Sequence, residues 1–79
     1  MKEEIRGILI KVCGEGADAD GLDLIESGLM DSLAIIELLN ELEDIGIEIQ
    51  PTEVDRNAFA TFSGILAIAE SARDRGRTT

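Results

Sequence analysis

The sequence predicts an all-α protein, a small antiparallel four-helix bundle of three main helices and one short one. Three observations carry that prediction. Apolar residues recur at i, i+3, i+4 and i+7 in three separate stretches. Glycines punctuate the ends of the first two of these stretches. The one alternating run, Ile47-Glu48-Ile49-Gln50, is too short to make a sheet by itself. With 79 residues the chain is close to the lower limit for a self-supporting core, so one domain over residues 1–75 with a frayed tail at 76–79 is expected. Phe59 and Phe62 are its only aromatic residues, which makes the core aliphatic.

Residues 2–13 form the first helix, with Ile5, Ile8, Leu9 and Val12 on one stripe and Gly14 and Gly16 as stops. Residues 14–30 form a long glycine-bearing connection that Leu22, Leu24, Ile25 and Leu29 pin to the helices. Within it, Asp18-Ala19-Asp20-Gly21-Leu22-Asp23 resembles a calcium loop, but the register fails. Counted from Asp18, the glycine position holds Asp23 and the bidentate glutamate position holds Leu29. The second helix, about 31–45, turns Ile35, Leu38, Leu39, Leu42 and Ile45 inward, and Gly46 stops it. Pro51 and Thr52 open a short helix near 53–58, with Thr52 as its cap. Thr61 or Ser63 caps a last helix over about 63–74, with Ile65, Ile68, Ala69 and Ala72 inward and a polar tail from Arg73.

Charge narrows the function. The net charge is -10, and thirteen acidic residues but no Lys or Arg lie between Val12 and Asp55. Such a surface repels phosphate backbones and anionic lipid, which disfavours direct nucleic-acid or membrane binding and suits partners with basic patches. Cys13 is the only cysteine and the start has no apolar signal region, so a reducing cytoplasm is expected. The absence of histidine removes Ser-His and Cys-His nucleophile systems and most zinc sites, and no metal site is expected. Cys13 continues the apolar side of the first helix and reads as a structural thiol. Catalysis by the protein itself is not expected.

The candidate site is Gly28-Leu29-Met30-Asp31-Ser32-Leu33. Asp31 is a good N-cap, which leaves Ser32 at the first helical position with its hydroxyl at the rim. A serine in that place is ordinarily a cap, but here Asp31 already fills the role. Leu33 and Ile36 break the helical pattern by projecting toward the acidic side, with Met30 as a further candidate for exposure. Glu37–Glu41 and Glu41–Asp44 are like-charge pairs at i+4 and i+3, each costing roughly 0.2–0.5 kcal/mol. A helix face that bears such costs around an apolar pair is a docking surface with electrostatic steering.

Gly28-Leu-Met-Asp31-Ser32-Leu33, followed by Ile36-Glu37-Leu38, resembles the acyl and peptidyl carrier proteins, and the resemblance runs from about residue 5 to 72. It implies a four-helix bundle with 4′-phosphopantetheine joined by phosphodiester to Ser32 and flanked by Asp31. It also implies thioester carriage of an acyl or aminoacyl group, with Leu33, Ile36, Glu37 and Glu41 as docking positions. Asn40 stands where some carriers have an apolar residue. The implied partners of a monomeric carrier are a phosphopantetheinyl transferase, an adenylating acyl or aminoacyl ligase and an acyl-accepting transferase. The segment Pro51-Thr-Glu-Val-Asp55-Arg56-Asn-Ala-Phe59-Ala-Thr61 looks more like the D-alanine carriers of teichoic acid esterification than like fatty-acid carriers. Fatty-acid, polyketide or nonribosomal-peptide carriers are the alternatives within the family. An acidic interaction module without a prosthetic group is the alternative outside it.

Overall fold

A computed structural model describes residues 2–19, 21–50, 52 and 54–77. Its regular elements are α1 (Lys2–Cys13), α2 (Ser32–Asp44), a 3-10 helix (Arg56–Ala60) and α3 (Phe62–Arg77), with no strand among the described residues. The chain is therefore all-α. Helix α1 packs against both α2 and α3, and the 3-10 helix packs on α3.

The core follows the predicted stripes. Ile5 and Leu9 of α1, Leu38 and Leu42 of α2 and Ile65 and Ala69 of α3 have no accessible surface, while Ile8, Val12, Ile35, Leu39 and Ile68 are partly buried around them. The long connection contributes directly: Leu24 is fully buried, its amide donates to the Ala60 carbonyl at 2.6 Å and its own carbonyl accepts from Met30. Asp23 shapes that turn, its carboxylate accepting from the amides of Ile25 and Glu26. Arg6 ties α1 to the connection and to α3, pairing with Asp18 at 2.9 Å and lying over the Phe62 ring.

Helix α2 ends in a Schellman arrangement: the Ile47 amide donates to Leu42 and the Gly46 amide to Glu43, with Gly46 at φ 86°. This turn displaces Ile45 from the expected core position. As the C-cap it has left helical geometry, so extrapolating 100° per residue fails there, and the side chain is exposed while Ile47 is buried instead.

Further expectations need correction. The short helix lies at Arg56–Ala60 rather than near 53–58, and Asp55, not Thr52, caps it by accepting from the Asn57 amide; Pro51 lies outside the described residues. The later register lets Phe59 reach the core. Helix α3 is capped by Thr61, one of the two residues expected there, whose hydroxyl accepts from the Gly64 amide; the helix therefore starts at Phe62, which joins the buried stripe, and Ser63 lies within it. It also runs to Arg77 rather than to 74. Thr78 and Thr79 of the expected frayed tail lie outside the described residues. In the connection, Leu29 is exposed instead of pinned.

Candidate functional site

The N-terminus of α2 is built from its cap outward. Asp31 has extended backbone, and its carboxylate accepts from the Ala34 amide at 2.8 Å. The Asp31 carbonyl takes the Ile35 amide. These two bonds leave the Ser32 and Leu33 amides of the first turn without intrahelical acceptors. Ser32 is the first helical residue and is exposed, and no described residue bonds its hydroxyl. The first turn of α2 holds no acidic residue.

The surroundings are apolar and open. Leu33 is 64% exposed and Ile36 56%, and Leu29 adds a third exposed apolar side chain at 39%. Met30 does not belong to this patch: it is 1% exposed, because its amide bond to Leu24 folds the connection over the core. Glu37 and Asn40 are exposed on the same helix.

Glu41 differs from Glu37. Its carboxylate is engaged by the Lys11 ammonium from α1 in an ion pair and hydrogen bond. This bond, together with the charge of Glu41, holds the Lys11 amine above the usual lysine range, and Asp44 adds to the effect. The like-charge cost read from the sequence is thus relieved from a neighbouring helix. Lys11, Val12, Glu37, Asn40 and Glu41 line a shallow groove of about 250 Å³ between α1 and α2.

Cys13, at the end of α1, is half-buried, with its thiol donating to the Leu29 carbonyl at 3.4 Å. Burial pushes its pKa up, and the carboxylates of Asp31 and Glu37 push it the same way. The thiol is therefore held protonated, consistent with the structural role read from the sequence. Among the described residues no cluster of three or more His, Cys, Asp or Glu is placed to hold a metal, and no helix is long and apolar enough to cross a membrane.

Over residues 3–70 the chain matches the family described as phosphopantetheine attachment site. The chain belongs to that family. It is also 33% identical over 76 residues to the D-alanyl carrier proteins of Bacillus cereus strains B4264 and AH187 and of Bacillus anthracis strain CDC 684, a match that covers 92% of this chain and 96% of each relative. No solved structure matches the chain. The protein is a carrier that bears covalent 4′-phosphopantetheine, a group whose thiol supplies thioester chemistry. The α2 terminus fits such a group. It offers a hydroxyl that no described residue bonds, two first-turn amides without intrahelical acceptors at the positive end of the helix dipole for a phosphodiester, and no carboxylate in the first helical turn.

Sequence reasoning missed three features of the site. The contact between Lys11 and Glu41 had no local signal, because the two residues are thirty positions apart. Leu29, expected to pin the connection, is exposed, because residue type alone does not say which way a loop side chain turns. The approach of Cys13 to the site depends on how the connection returns α2 to the end of α1.

Proposed function

We propose that Ser32 is the residue to which the phosphopantetheine arm is esterified, and that the arm carries D-alanine as a thioester between partner enzymes. One observation supports the site above all. Ser32 holds an exposed hydroxyl, unbonded by the described residues, at the tip of α2 while Asp31 does the capping. Leu33, Ile36 and Glu37 form the docking face, where a transferase or ligase covers the apolar pair and meets the acid. The polypeptide performs no catalysis; it fixes the attachment oxygen, keeps the helix end rigid and presents a recognisable surface. The arrangement of α1, α2, α3 and the 3-10 helix is the acyl-carrier-like four-helix plan. The likeness to D-alanyl carrier proteins supports D-alanine as cargo and, with it, an adenylating ligase and an acyl-accepting transferase as partners of a monomeric, cytoplasmic carrier.

The test is intact-mass measurement in two stages. Incubation with a phosphopantetheinyl transferase and coenzyme A is expected to add one arm per chain, and peptide mapping is expected to place it on Ser32. The loaded protein, given ATP and a D-alanine-adenylating ligase, is expected to gain one D-alanyl group but no glycyl or malonyl group. An arm on another serine would refute the site, and preferential loading of malonate would refute the cargo.

A further inference from the structure

The α2 face carries two glutamates one helical turn apart, and the structure treats them differently. Glu37 is exposed, whereas the Glu41 side chain is 22% exposed and bound by Lys11, whose own side chain is 72% exposed. Counting from Leu33, Glu41 lies about 80° round the helix, at the margin between the open face and the buried stripe centred near Leu38. The ion pair therefore closes one side of the groove beside Glu37 and Asn40.

We propose that Lys11 is a specificity-determining residue: by pairing with Glu41 it withdraws that carboxylate from the docking face, so that a basic partner enzyme reads Glu37 together with Leu33 and Ile36. The inference rests on Ser32 being the attachment site and deepens that reading. The occupant of the face is a partner enzyme with a basic side chain beside an apolar pocket. Charge complementarity is the argument, because no Lys or Arg occurs between Val12 and Asp55, and among the described residues Lys11 reaches α2 from outside this stretch. An exposed lysine beside an acidic face would ordinarily repel such a partner. Bound to Glu41, it presents a neutral pair instead. The margin of the face is thereby closed to a second basic contact, and recognition is concentrated close to Ser32. Lys11 acts through Glu41 and is a positioning residue.

The experiment measures kcat/KM for arm transfer from coenzyme A by a phosphopantetheinyl transferase, across a range of salt concentrations. Lys11→Gln frees Glu41 and is expected to raise kcat/KM at low salt by about two- to fivefold, through KM rather than kcat, the scale of one exposed charge contact. High salt is expected to erase the gain. Lys11→Arg keeps the pair and is expected to retain the wild-type value, whereas adding Glu41→Gln to Lys11→Gln is expected to abolish the gain. Lys2→Gln, which changes the net charge equally at the start of α1, is expected to produce none. Equal gains in Lys2→Gln and Lys11→Gln would overturn the proposal in favour of a bulk charge effect. An unchanged KM with a lowered melting temperature in Lys11→Gln would overturn it in favour of a purely structural pair. Failure of the wild-type protein to accept the arm at Ser32 would instead overturn the underlying reading.

Discussion

Two helices of this protein begin with similar local chemistry and end up with different surfaces. At α2, Asp31 caps and Ser32 follows; at α3, Thr61 caps and Ser63 lies two residues on. Both serines are exposed. Their neighbours are not alike. Leu33 and Ile36 stand out in solvent beside Ser32, whereas Phe62 and Ile65 beside Ser63 are buried. Gly64 shows how tightly the second terminus is seated, since a Cβ there would come within 2.3 Å of the Ala58 carbonyl oxygen. A serine next to a cap is thus common local chemistry. An apolar face left open around it distinguishes a place where another protein can land.

The comparison is broken or sharpened most strongly by the serines themselves. Ser32→Ala is expected to abolish arm attachment measured by intact mass, while Ser63→Ala keeps it. Both variants should stay within about 1 kcal/mol of wild-type stability, because neither side chain is packed. Attachment lost in Ser63→Ala would erase the distinction. Next come the apolar residues of α2. Leu38→Ala is expected to cost about 2–5 kcal/mol in denaturant unfolding, since the side chain is fully buried. Ile36→Asp is expected to spare stability and to lower turnover by a partner enzyme on the order of tenfold, the effect of removing a central apolar contact. A large fall in melting temperature for Ile36→Asp would mean that the open face is core.

Glycine substitutions at the α3 terminus and, as a control, in α1 probe packing at a smaller scale. Gly64→Ala is expected to destabilise by about 1–3 kcal/mol through its clash with the 3-10 helix. Gly7→Ala, in a helical position with nothing near the added carbon, is expected to stabilise by about 0.5–1 kcal/mol. The smallest effect concerns Cys13. Its raised pKa favours the protonated thiol in the folded state, so that contribution is present below the ordinary thiol range and is lost as pH rises through the raised value. Stability measured at alkaline pH is expected to fall less in Cys13→Ser. At neutral pH iodoacetamide is expected to modify the arm thiol before Cys13, and the reverse order would contradict a protonated, partly shielded side chain.

Much of the fold and the centre of the site were legible in the chain. The period of Ile5, Leu9, Leu38, Leu42, Ile65 and Ala69 marks faces that must turn inward, and Asp31-Ser32 marks a helix start because cap chemistry involves residues adjacent in sequence. The failures share a cause. Helical extrapolation fails past the cap at Ile45, and Leu29 and Met30 have exposures opposite to those expected of them. In a glycine-bearing connection, residue type does not say which side chain the backbone turns inward. There the decisive bonds are Leu24 to Ala60 and Met30 to Leu24, and the first of these joins residues far apart in sequence.

By itself the sequence determined the class of structure, the acidic character of the surface and the oxygen offered at the tip of α2, because periodicity, charge and capping are properties of near neighbours along the chain. The tertiary structure alone decided which glutamate on that helix stays free. The partner of Glu41 arrives on another helix, and a surface ion pair forms only where packing brings two ends together.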